Sequence, residues 1–124
     1  MILDTSAFPH VQLSERHPEH DWEPQLDALL AREERFVLIT SPDPLEDPGE
    51  TPGDRKRRAQ WFKRNKSTLR RWCAGAILIE HNRARALTVQ VMAKTMGKVF
   101  GFPIRVADNP TDARERAARL LDEH

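Results

Sequence analysis

Between Asp54 and Trp72 this 124-residue chain carries nine lysines and arginines, one acid and three large aromatics. Because the whole chain is only +1, this segment of +8 leaves the other 105 residues at −7. Cations concentrated in this way attract phosphates or an acidic surface and steer their approach. Read as one helix, the segment stacks Lys56, Lys63 and Arg70 in one column and Arg57, Arg64 and Arg71 beside it, since positions seven apart drift by only about 20°. Phe62, Leu69 and Trp72, with Ala59 and Trp61 nearby, fall on the other side and are expected to pack on a sheet. One reading of the stripe is a solvated face offset by the acids Asp43, Glu46, Asp47 and Glu50. A second is the capture of an acidic protein partner. The third, nucleic acid or an anionic lipid surface, is disfavoured by the net charge of the whole chain. Trp61 and Trp72 have the chemistry to stack on bases, but their phase assigns them to the core.

Other residues offer less. Ser41, His81 and Asp108 each follow a core strand and mark a candidate ligand edge, because open α/β sheets place ligands at the carboxyl ends of their strands. Glu80 and Asp108 end two of those strands, where paired carboxylates would do acid/base work. There is no Gly-x-Ser-x-Gly elbow, Walker loop or glycine-rich dinucleotide turn, and the run from Pro48 to Gly53 lacks the lysine of a phosphate-binding loop. No catalytic residue is assigned. His17 and His20 are three apart in a proline-containing turn, and His10, His81 and His124 are scattered, so neither a metal nor a cofactor is expected. Cys73 is the only cysteine. It reads as a small buried hydrophobe and excludes an intrachain disulfide.

These residues need a scaffold, and the rest of the chain supplies one. With 31% charged and 39% hydrophobic residues, the composition is that of a globular domain spanning residues 1–124. No stretch approaches the roughly 20 apolar residues of a membrane span, and with one cysteine the expected location is cytoplasmic. Extended segments are expected at Ile2 to Thr5 and Phe8 to Leu13. An amphipathic helix follows from about Asp21 to Arg32, then a strand at Phe36 to Thr40 buried on both faces. Residues 41–53 hold four prolines, two glycines and four acids, the composition of a mobile loop. After the basic helix come a strand at Ala76 to Ile79, a helix from Ala84 to Val99 and a strand alternating at Phe102, Ile104 and Val106. Asn109-Pro110 opens a last helix with Ala113, Ala117, Leu120 and Leu121 on one face. The helix from Ala84 to Val99 is apolar around most of its circumference, so it is either buried or the contact of a homodimer or another partner. Strands alternating with helices predict an α/β fold, a four- or five-stranded mainly parallel sheet flanked by about four helices.

The order of elements, closing with Phe102-Pro103-Ile104-Arg105-Val106-Ala107-Asp108 and a helix bearing alanines and a leucine pair, resembles the STAS domain superfamily, especially its SpoIIAA-like branch. The resemblance covers the chain from about Phe8 onward. It implies a non-enzymatic regulatory or ligand-binding module that contacts partner proteins, nucleotides or small ligands. The family's phosphorylatable serine, in an Asp-Ser-Ser-Gly-like turn, has no counterpart here: the turn after Ile39 offers only Ser41 and Thr51, each followed by proline. The basic stripe is therefore the expected partner surface, with a small-ligand site or small enzyme at the strand ends as the alternative.

Overall fold

A computed structural model describes residues 2–14, 22–40 and 52–123. The chain forms an α/β fold with β1 (Ile2–Asp4), β2 (His10–Ser14), α1 (Trp22–Ala31), β3 (Phe36–Thr40), α2 (Pro52–Arg64), α3 (Lys66–Trp72), β4 (Cys73–Ile79), α4 (Arg83–Phe100), β5 (Ile104–Ala107) and α5 (Pro110–Glu123). The sheet is mixed: the order is β1-β2-β3-β4-β5, β1 runs antiparallel to β2, and the remaining neighbours are parallel. Each parallel strand is added on the same side of the last one. Crossovers of one hand then place all connecting helices on one face.

The core follows this division. On the crossover face Leu26 and Leu29 of α1, Trp61 of α2, Leu69 of α3 and Val89 of α4 close over Phe36, Leu38, Ala76 and Leu78. On the other face Ala113, Ala117 and Leu120 of α5 meet Val37, Ile39, Ala74 and Ile77. Alanines at the α5 contact let that helix lie close to the strands, and both are fully buried. Phe36 and Leu38 point one way and Val37 and Ile39 the other, which is why this strand shows no polar alternation.

β4 begins earlier than the apolar run Ala76 to Ile79 predicts, directly after Trp72. Its register against β3 shifts from Phe36↔Cys73 to Val37↔Gly75, so Ala74 is an extra residue, a β-bulge that turns it and Gly75 to the α5 face. The Cys73 thiol donates to the Gly75 carbonyl at 3.3 Å, and burial pushes its pKa up to about 12. The thiol therefore stays protonated at neutral pH and is a poor nucleophile. A thiol reagent such as DTNB at pH 8 is expected to leave Cys73 untouched in the native protein and to modify it fully in denaturant. Rapid native modification would contradict the burial.

Two corrections concern the segment after β3. The helix starts at Pro52, two residues ahead of the basic segment, with proline in the first turn where no backbone donor is lost. The expected mobile loop therefore ends earlier than Gly53, and residues 41–51 lie outside the described residues. The basic segment is also not one helix. It breaks at Asn65, whose φ of −101° and ψ of 13° leave the helical region. Both the backbone N–H of Asn65, at 3.0 Å, and its side-chain Nδ2, at 2.9 Å, donate to the Trp61 carbonyl. The hydrogen-bond ladder continues past this position, Leu69 N donating to the Asn65 carbonyl at 2.9 Å, so the break is a local kink, and a short polar side chain that bonds the backbone is a physical reason for it.

Candidate anion-binding surface

The break at Asn65 divides the expected stripe. On α2, Lys56, Arg57, Lys63 and Arg64 are exposed, and on α3 Arg70 and Arg71 are exposed, but the two columns no longer run unbroken from Lys56 to Arg71. Ala59, expected to pack on the sheet, is exposed as well. Arg57 reaches α1, its Nε donating to Glu23 Oε1 at 2.8 Å. Arg71 lies over the ring of Trp72 at 5.0 Å. The offsetting acids expected at Asp43, Glu46, Asp47 and Glu50 lie outside the described residues.

Arg70 has a different setting. With Lys66 it lines a groove of about 790 Å³ whose other cations are Lys94 and Lys98 of α4 and Arg105 of β5. Five cations thus line one groove, and no acid is among its lining residues. The local fold explains the convergence. α4 ends at Gly101, which closes the helix in the left-handed conformation at φ 82°, and a side chain there would meet Arg70 Cγ and Cδ at 2.9 Å and Lys66 Cε at 3.2 Å. Glycine therefore serves both the backbone turn and the passage of two cationic side chains. Lys94 and Lys98 are four apart and exposed on α4, so they share one side of the helix. The groove lies near the start of β5, at the opposite end of the strands from the edge where Ser41, His81 and Asp108 were expected to act.

That carboxyl edge is largely occupied by helix capping. Glu80 is 7% exposed; its Oε1 accepts from Asn82 N at 3.0 Å and its Oε2 lies 3.8 Å from Arg85 Nε. Asn82 in turn caps α4, accepting from Ala84 N at 2.9 Å. Beyond β5, Asn109 Oδ1 accepts from Asp112 N at 2.8 Å, and Asp112 Oδ2 accepts from Asp108 N at 3.1 Å and from Arg116 Nε at 3.1 Å. These hydrogen bonds hold the Asp112 carboxyl below its ordinary pKa. His81 and Asp108 are both exposed. The strand register brings their neighbours together, with Glu80 N donating to Ala107 O at 2.9 Å; Ser41 lies outside the described residues. Among the described residues no three His, Cys, Asp or Glu are grouped to hold a metal ion.

Aromatic stacking on bases loses its main platform. Trp61 is 1% exposed, its Nε1 donates to Asp27 Oδ1 at 3.0 Å, and its ring meets Phe62 edge-on at 5.1 Å. Phe62 continues to Phe100 at 4.9 Å and Phe100 to Phe102 at 5.9 Å, a row of rings that joins α2 to the end of α4. The exposed side of α4 carries Leu87 and Val91, each 69% exposed. Among the described residues no helix is long and apolar enough to cross a membrane.

No protein-family model, curated protein or solved structure matches this chain. The surface is therefore read from its own chemistry.

Lys66 lies in the basic segment but not in its stripe, and Lys94, Lys98 and Arg105 lie outside the segment, yet the sequence carries a signal for them. Between Arg55 and Val106 there are fourteen lysines and arginines and one acid, Glu80. That acid is the buried cap at the end of β4. The basic region is thus not a helix but everything from α2 through β5, and these 52 residues carry +13 while the other 72 carry −12.

Proposed function

We propose that this chain is a non-catalytic binding module, STAS-like in architecture, that captures an acidic protein partner on the basic face built by α2, α3 and α4. The observation that carries the reading is the separation of charge along the chain: one buried acid between Arg55 and Val106, against fourteen cations. A net charge of +1 gives no general attraction to polyanions. A predominantly basic face, on which Glu23 offsets Arg57, instead favours a partner whose own acidic patch fits it, setting orientation and encounter rate. The absence of an exposed tryptophan platform at Trp61 weighs against single-stranded nucleic acid. The STAS-like assignment rests on the order of elements.

Lys63 and Arg64 test the reading because both are exposed on α2 and neither lines the groove. Reversing both to glutamate is expected to abolish capture of the partner by affinity-tagged protein in nuclease-treated lysate. The unfolding free energy is expected to change by no more than about 0.5 kcal/mol, the usual range for exposed positions. Capture at the wild-type level by the doubly reversed variant would remove this face from the account.

A further inference from the structure

We propose that the groove formed by Lys66, Arg70, Lys94, Lys98 and Arg105 is a binding site for an oligophosphate group, two or more linked phosphates, which adjoins the proposed partner face and shares α3 and α4 with it but does not include Lys63 and Arg64 of α2. These cations come from a short helix, a long helix and an edge strand, so they line an open groove from several directions instead of a single helix face. A single carboxylate would balance only a fraction of that charge. A chain of phosphates carries several negative charges in a compact space and offers acceptor oxygens to every donor. Arginine forks suit phosphate oxygens in pairs, and lysines serve as point charges between them.

Shape agrees with this chemistry. The glycines at 97 and 101 contribute no side chain to the wall. The volume of about 790 Å³ lies within the range of small-ligand sites, roughly 300–1,000 Å³. Gly97 is also confined, since a Cβ there would sit 3.2 Å from the Phe102 carbonyl. The one aromatic lining residue, Phe102, is 5% exposed, which leaves no open ring face for a nucleobase. The phosphates therefore carry the recognition, and a nucleoside attached to them adds little.

Isothermal titration of the 124-residue chain with sodium tripolyphosphate and with ATP, at low ionic strength, tests the site. The proposal expects saturable one-to-one binding of tripolyphosphate, with ATP binding no tighter. Lys94→Glu/Lys98→Glu is expected to weaken binding by about tenfold or more. Lys63→Glu/Arg64→Glu, outside the groove, changes the long-range field and weakens binding at low salt, but when the titrations are repeated at about 0.15 M salt, where the Debye length is about 8 Å, its loss should be several-fold smaller than that of Lys94→Glu/Lys98→Glu. The neutral variant Lys94→Gln/Lys98→Gln gives a second reading if charge reversal disturbs folding, and it too must weaken binding. In amide spectra, tripolyphosphate is expected to shift Gly97, Gly101 and Arg105. No saturable binding at low salt, equal loss from the two reversed pairs at the higher salt, or shifts centred on Lys63 would each overturn the site. ATP binding at least tenfold tighter than tripolyphosphate would overturn the assignment to phosphate alone. The proposal does not rest on the acidic-partner reading: partner capture tests the α2 face, and this titration tests the groove.

Discussion

Replacing Trp61 by alanine is expected to destabilise the protein by about 3–5 kcal/mol, the usual cost of deleting a fully buried large aromatic. The side chain is 1% exposed and has two roles that truncation removes together. Its ring fills the space between α2 and the crossover face of the sheet, with the edge-on contact to Phe62 at 5.1 Å. Its indole N–H donates to Asp27 at 3.0 Å, tying α2 to α1. Domains of this size have about 5–15 kcal/mol of stability in all, so the variant loses a large share of its stability. Urea unfolding followed by circular dichroism measures the loss. Trp61→Phe, which keeps a ring but not the N–H, should fall between the two. A change below about 1 kcal/mol for Trp61→Ala would mean that α2 does not pack as described.

Gly75→Ala is expected to cost about 3 kcal/mol, the upper part of the usual range for overpacking. Its added Cβ would lie 2.6 Å from the Pro103 carbonyl oxygen and 2.8 Å from Leu120 Cδ1. Leu120 has a flexible end and can rotate away. The carbonyl cannot move so freely, because it accepts from Ala76 N at 2.9 Å in the ladder that joins β4 to the chain entering β5. The melting temperature should fall on the order of 10 °C. The double variant Gly75→Ala/Leu120→Ala separates the two contacts. It should recover none of the loss caused by the carbonyl, and it adds the cost of a cavity. A melting temperature for Gly75→Ala within 2 or 3 °C of wild type, roughly 1 kcal/mol or less, would contradict the bulged register of β4 against β3.

These two sites show which parts of the structure the sequence made legible. Phe36 to Thr40 was readable in full, because a short apolar run with no polar alternation has few places to go except the middle of a parallel sheet. Trp61 was assigned to the core by helical phase alone, and Asn109-Pro110 marked the start of α5 by its capping chemistry. β4 was readable only from Ala76, because the residue that permits the bulge, Gly75, also interrupts the apolar run. The break at Asn65 was hidden by the repeat of cations on either side of it: the seven-residue spacing continues through a residue whose side chain turns the backbone out of the helix.

The groove was hidden for a different reason. Lys66 and Arg70 sit on α3, Lys94 and Lys98 on α4, and Arg105 on β5, so no local spacing relates them. The crossover from β4 to β5 brings them together, and Gly101 makes room for two of them. What the sequence did hold was a negative signal, the near absence of acids between Arg55 and Val106, and that signal acquires a place only once the topology is known. At the carboxyl edge the reverse holds. Glu80 is spent on the turn into α4, and the start of α5 takes up Asn109, Asp112 and the backbone N–H of Asp108.

The most direct test of the basic face is hydrogen exchange on the protein alone and in complex with the partner it captures. The account predicts slowed exchange on α2 and α3 across residues 56–71, with the turns at His81 and Asp108 unchanged. Slowed exchange confined to those two turns, with residues 56–71 unaffected, would contradict it and move the binding site to the carboxyl edge of the sheet.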